Sequence, residues 1–219
     1  MDAMSRFPSN RQISLGVIGA GKISSIILPG LPTDRIRVVA LADVNREAAE
    51  GLAEQISDAW ASAPPGVTDD LAPPGVADNA QRLLADDEVE AVYIATPPHV
   101  HADLIKQAID AGKHVLCEKP WTMHAGEARE VADYASKHPE LRLACCGSRF
   151  RFGGASAAVA AAISEIGTLR HLRMRAAVGV PRPLSELPSW KSKLEVAGGG
   201  MAADWGVYEL EWIDRKSVV

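Results

Sequence analysis

The sequence predicts an α/β fold in which a doubly wound parallel sheet is followed by a second, α+β domain. Short apolar runs alternate with amphipathic helical stretches as far as about position 146. Those runs are mostly hydrophobic throughout rather than at every second residue, as strands covered on both faces are. Beyond 147 the pattern changes to an alanine-rich helix, one alternating strand and a proline-rich loop.

Each element has its own signal. "ISLGVIGAG" (13–21) is a buried strand ending in glycines, and a short helix follows through Ile23, Ile26 and Ile27 until Pro29 and Gly30 end it. "RVVALAD" (37–43) is a second strand. Asn45 caps the next helix, where Ala49, Leu52, Ala53 and Ile56 share a face. Residues 57–78 contain "APPGV" twice and read as an inserted surface loop. The alternation resumes with a helix over 79–86, the strand "EAVYIAT" (90–96) and a helix over 102–111. Gly112 stands at the left-handed position beyond that helix. A strand (114–117), a helix carrying Ala128, Val131, Ala132 and Ala135, and the strand "LRLACC" (141–146) complete the first domain. In the second, a helix over 155–166 precedes "LRHLRMRAAV" (169–178), whose alternation predicts a strand with one polar face.

Composition narrows the function. The chain has 219 residues and a net charge of −5, which argues against a nucleic-acid footprint. No apolar run is long enough to span a membrane, and the first residues lack the apolar core of a signal peptide, so a cytoplasmic protein is expected. Cys117, Cys145 and Cys146 lie in apolar runs and read as buried free thiols.

Four stretches carry chemistry. Gly19-Ala20-Gly21-Lys22-Ile23-Ser24 follows the G-x-G-x-x-G/A pattern with Ser24 as its last small residue, between a strand and a helix. Gly19 permits the tight turn, and Gly21 lets backbone approach a pyrophosphate at a helix N-terminus. Asp43, 22 positions after Gly21, ends the next strand, where a carboxylate can accept from ribose hydroxyls and repel a 2′-phosphate. NAD is therefore the expected cofactor, with NADP possible because Arg46 stands nearby; the bland alternative is a tight turn with an N-capping aspartate. "ATPPHVHADL" (95–104) places Thr96, Pro97, His99 and His101 on a stiff loop beside the cofactor. His99 and His101 have no further ligand at metal spacing, so no metal is expected. Glu118-Lys119-Pro120 ends a buried strand on the sheet edge where ligands bind. A partly desolvated Lys119 there could hydrogen-bond a substrate oxygen, with Glu118 orienting it or touching the cofactor; an ordinary solvated lysine is the alternative. "GGGMAADWGVYELEW" (198–212) puts Asp204 and Tyr208 four apart on one helix face. Tyr208 could exchange a proton with a hydroxyl, or simply be a boundary tyrosine.

Taken together, "VIGAGKIS", "ALAD", "ATPPHVHADLIKQAIDAGKHVLCEKP", "SRF" with "EIGTLRHL", and "GGGMAADWGVY" resemble the Gfo/Idh/MocA oxidoreductase family along nearly the whole chain. The resemblance implies a Rossmann domain over 12–147 and the start of an α+β substrate and oligomerisation domain, with a mostly antiparallel sheet, over 148–219. It implies that Gly19, Ala20, Gly21, Lys22, Ile23, Asp43, Thr96, Pro97, His99, His101, Glu118 and Lys119 contact NAD or NADP, and that Lys119, Tyr208 and Asp204 are catalytic. Tyr208 stands where many members carry histidine, and His99 where many carry asparagine. The implied function is hydride transfer between nicotinamide and a sugar, cyclitol or related polyol in a homo-oligomeric parent. Members continue well past 219, so a C-terminally truncated chain is implied. The competing readings are a dinucleotide-binding sensor, a nicotinamide-dependent glycosidase and an inactive fragment.

Overall fold

The computed structural model describes residues 11–63, 71–147, 154–163 and 189–208, with positions 165, 167, 168, 170, 171, 173 and 210. Six strands, β1 (Ile13–Ile18), β2 (Ile36–Ala42), β3 (Gly75–Val76), β4 (Ala91–Ile94), β5 (His114–Cys117) and β6 (Leu143–Cys145), form one sheet in the order β3-β2-β1-β4-β5-β6. Every pairing in it is parallel. This is the Rossmann strand order, and it reverses between β1 and β4.

Helices α1 (Lys22–Ile27), α2 (Arg46–Ala61), α3 (Ala80–Leu84), α4 (His101–Asp110) and α5 (Ala125–Ala135) lie between the strands. Pleating divides the strand residues between two apolar clusters. Val92, Ile94, Val115 and Cys117 pack with Leu83, Ile105, Ile109 and Val131 from α3, α4 and α5. Leu15, Val17, Leu41 and Tyr93 pack with Leu52, Ile56 and Trp60 of α2 on the other face. Side chains as fully buried as Ile56, Ile94 and Ile105 each contribute about 1.5–3 kcal/mol. The sheet is not covered on both faces along its whole width: β5 alternates between exposed and buried residues, and Leu116 is exposed.

Helix boundaries follow from local chemistry. The Asn45 side chain accepts from Ala48 N–H at 3.4 Å at the start of α2, and the Asn79 side chain accepts from Arg82 N–H at 2.9 Å at the start of α3. Gly112 beyond α4 has φ +71°, the left-handed conformation expected there.

The inserted loop expected over 57–78 is shorter than its composition suggests. Helix α2 runs on to Ala61 because Trp60, one turn beyond Ile56, continues its buried face. At the other end, Gly75 and Val76 pair with Ala40 and Leu41 as an edge strand.

The second part begins with α6 (Gly154–Ile163) and includes a 3-10 turn (Ser189–Ser192), α7 (Leu194–Ala197) and α8 (Gly200–Asp204). The strand expected over 169–178 lies almost entirely outside the described residues. Among the described residues no helix is long and apolar enough to cross a membrane.

Candidate active site

Because every strand is parallel, the C-terminal ends of β1, β2, β4 and β5 share one edge. The crevice opens where the strand order reverses.

The turn after β1 is built for close packing. Gly19 has φ +106°, and a Cβ there would lie 2.6 Å from the Ala95 carbonyl oxygen. The buried Ser24 hydroxyl donates to the Gly19 carbonyl at 2.6 Å and so tightens the turn. Gly21 stands exposed at the helix start, and a Cβ there would meet nothing within 4 Å. Lys22 and Ile23 are exposed beside it. The Asp43 carboxylate is fixed at the end of β2: Oδ2 accepts from Ala20 N–H at 2.7 Å and Oδ1 from Asn45 N–H at 2.8 Å. Arg46 pairs with Glu50 at 2.7 Å and Asp78 at 2.9 Å on the exposed surface, so its charge is already matched.

Two loops face this turn. After β4, the chain passes through Thr96 and Pro97 into a 3-10 turn (Pro98–Val100) that exposes His99. His101 then opens α4 with no exposed surface. Its Nε2 lies 2.8 Å from the Thr96 carbonyl oxygen and its Nδ1 2.9 Å from that of Pro120. Both neighbours are acceptors, so only the imidazolium satisfies both; a neutral ring satisfies one. Burial pushes the His101 pKa down, against the two carbonyls and the Glu118 carboxylate. His101 was expected to contact the cofactor; with both ring nitrogens engaged it instead ties the Thr96 loop to the Pro120 loop. The Thr96 hydroxyl is buried with no partner among the described residues, which leaves a polar atom at the crevice for a ligand to satisfy.

After β5, the Lys119–Pro120 bond is cis. Glu118 turns its carboxylate inward, accepting from the Tyr93 hydroxyl at 2.9 Å and from Lys119 N–H at 3.1 Å. Burial, then the Glu118 charge, push the Tyr93 phenol far above its ordinary range, so it stays a donor. This link, 25 positions apart in sequence, fixes the backbone that carries Lys119. A Tyr93→Phe variant is expected to lose about 1.5–3 kcal/mol, since it leaves a buried carboxylate short of a donor; denaturant unfolding measures it.

The Lys119 ammonium meets the second part of the chain. It ion-pairs with Asp204 Oδ1 and donates to the Asp204 main-chain oxygen at 2.7 Å. Lys191 holds Asp204 Oδ2 at 2.9 Å. Tyr208 is buried, and Lys119 Nζ lies 5.3 Å from its ring centroid and 5.9 Å from that of Trp205. Tyr208 N–H donates to Trp205, three residues back, and the Asp204 carbonyl takes Lys119 instead. The continuous helix expected through Asp204 and Tyr208 is therefore interrupted: α8 ends at Asp204. Close approach of this segment depends on Gly198, whose φ is +77° and where a Cβ would lie 3.2 Å from Met123 Sδ.

Burial raises the Asp204 pKa, but hydrogen bonds from Lys119 and Lys191 and their charges outweigh it, and the net shift is downward. The stability this confers is present above the ordinary carboxylate range. It is lost as pH falls through the lowered folded-state value. The three thiols are free, and burial pushes all of them up, so they remain protonated.

The expected catalytic residues Lys119, Asp204 and Tyr208 thus converge. Lys191 carries no signal of its own in the sequence, because a lysine beside a proline-rich stretch has no spacing signature.

A family model described as an oxidoreductase family with an NAD-binding Rossmann fold matches residues 13–144, more than half of the chain. The chain belongs to the Gfo/Idh/MocA oxidoreductase family. Among relatives of this Gfo/Idh/MocA chain, a trans-1,2-dihydrobenzene-1,2-diol dehydrogenase of Mus musculus is 31% identical over 90% of it. A 1,5-anhydro-D-fructose reductase of Ensifer adhaerens is 34% identical over 61%. The chain spans 54% and 39% of their lengths, about half or less. A crystal structure of an NAD-binding protein from Listeria innocua aligns over 93% of this chain and 54% of its own, with 27% identity and a TM-score of 0.70. A 3-ketoreductase from Actinomadura kijaniata, crystallised with NADP, aligns over 90% of this chain and 55% of its own, with 26% identity and a TM-score of 0.67.

Proposed function

We propose that this chain supplies the cofactor domain (12–147) and the start of the substrate domain (148–219) of a nicotinamide-dependent dehydrogenase or reductase acting on the CH–OH group of a sugar, cyclitol or related polyol. The observation that carries this is the meeting of Lys119 with Asp204 and Tyr208 on the sheet edge that also bears the glycine turn.

The residues present fit a dinucleotide. The open space over Gly21 and the start of α1 suit a pyrophosphate, Asp43 suits ribose hydroxyls, and the unpartnered Thr96 hydroxyl suits a polar group farther along the crevice. When bound, the nicotinamide accepts or returns the hydride. The protein's share is positioning and proton handling. Lys119, anchored through Glu118 and Tyr93 at its backbone and through Asp204 at its amine, presents a positive charge to the substrate oxygen. Tyr208 takes the hydroxyl proton during oxidation and gives it back during reduction, with the Lys119 ammonium 5.3 Å from its ring centroid.

Asp43 and the already paired Arg46 favour NAD over NADP, by about tenfold or more in Kd. Gly21→Val should leave the thermal midpoint within about 2 °C of the parent while weakening NAD binding by about a hundredfold, because its side chain enters open space that the pyrophosphate needs. Calorimetric titration of the parent and the Gly21→Val variant with both cofactors checks this. A polyol panel with NAD, followed by absorbance of the reduced nicotinamide, tests the activity in the full-length protein. Tight NAD binding with no reduction by any member would favour a sensor, and sugar release without net reduction a glycosidase.

A further inference from the structure

Lys191 lies in the 3-10 turn Ser189–Ser192 and is half-buried, with Nζ 2.9 Å from Asp204 Oδ2. Lys119 takes the other carboxylate oxygen and the Asp204 carbonyl. One carboxylate therefore serves two ammoniums on two different segments. The segment bearing Lys191 is anchored: Lys193 N–H closes its turn on the Trp190 carbonyl at 3.2 Å, α7 lies against the Pro98–Val100 turn, and Gly198 packs on Met123.

A carboxylate held by one partner can rotate and exchange its oxygens; held at both, it is fixed in one orientation. We propose that Lys191 is a positioning residue for hydride transfer, which by occupying Asp204 Oδ2 keeps that carboxylate ionised and aimed at Lys119, and so holds the Lys119 amine beside Tyr208. This rests on the dehydrogenase reading above. The charge balance supports it. Burial alone favours neutral Asp204, and a neutral carboxyl would offer Lys119 a weaker acceptor; two ammoniums reverse that preference. Around Asp204 and Lys191, Lys119 from the loop after β5 is the second cation on the carboxylate, its charge also reaches Cys145 of β6, and the Tyr208 ring lies beside it. Glu118 is turned away toward Tyr93, so Asp204 is the anion that both ammoniums share.

The test uses the full-length protein with Lys191→Met and Lys191→Arg, and with Lys191→Gln should the Met variant fail to fold. Carbon-13 NMR follows the Asp204 carboxyl titration. The Met variant should titrate at higher pH than the parent, and the Arg variant should return toward the parent. In kinetics, kcat for the polyol should fall about ten- to hundredfold in the Met variant through displacement of Lys119. NAD affinity should stay unchanged, the acid limb of kcat/KM should move to higher pH, and arginine should restore both the rate and the profile. An Asp204 titration in the Met variant that superimposes on the parent's would overturn the proposal, as would a rate loss that arginine does not relieve. If the parent shows no hydride transfer at all, the dehydrogenase reading fails, and the carboxyl titration alone decides whether Lys191 controls Asp204.

Discussion

Lys119→Ala is expected to lower kcat/KM by about 10²–10⁴-fold, with the folded state retained. Lys119 has only 14% of its side chain exposed and Asp204 24%, so their interaction is screened less than a surface pair. Alanine removes the charge 5.3 Å from the Tyr208 ring centroid, the donor to a substrate oxygen, and the partner of Asp204 Oδ1 at once. Lys191 remains on Asp204, so the carboxylate keeps one cation and the structural cost is limited. Lys119→Arg should not restore activity, because a planar guanidinium cannot reproduce the geometry of an ammonium that donates to a carboxylate and a carbonyl of the same residue. Steady-state kinetics beside NAD titration separates the two effects: the loss belongs in kcat, with NAD affinity changed by less than about tenfold.

Gly19→Ala is expected to be the most damaging single substitution in the glycine turn, at about 3 kcal/mol or more of stability and a fall of roughly 10 °C in the thermal midpoint. Two costs combine. The φ of +106° is a conformation that alanine resists, and the new methyl would lie 2.6 Å from the Ala95 carbonyl oxygen and 3.0 Å from Thr96 N. Neither contact is with a flexible side chain, so β4 and the loop after it would have to move. The Thr96 carbonyl is in turn held by His101, which also holds Pro120, so a shift at Gly19 reaches the loop bearing Lys119. Gly21 offers the contrast: at an open position, substitution should spare stability and cost only cofactor binding. Thermal denaturation of both variants, with and without NAD, checks the pair.

Much of this was legible in the sequence because parallel strands buried on both faces leave continuous apolar runs. β1, β2 and β4 announce themselves in this way; β5 occupies the predicted span 114–117 although its Leu116 is exposed. β3 did not, because two residues, Gly75 and Val76, carry no periodicity. The end of α2 is hidden in the sequence because the proline-rich composition that follows masks Trp60, which extends the series Ala49, Leu52, Ala53, Ile56 by one more turn. In the site, local order singled out Gly19, Asp43 and Lys119, since each lies within two residues past a strand's end. Contacts between distant segments were invisible to local pattern: Tyr93 with Glu118, His101 between two carbonyls, and Lys191 on Asp204. Asp204 and Tyr208 were foreseen as partners through helical spacing. They are brought together with Lys119 across an interrupted helix, whose freed carbonyl Lys119 itself occupies.

The most direct measurement is a crystal structure of the full-length protein with NAD bound. The pyrophosphate is expected over Gly21 at the start of α1, the adenosine ribose on Asp43, and nicotinamide C4 facing a pocket flanked by Lys119 Nζ and Tyr208, with Asp204 still held between Lys119 and Lys191. A nicotinamide ring lying away from Lys119, or an Asp204–Lys119 pair that parts and leaves the amine in bulk water, would contradict it.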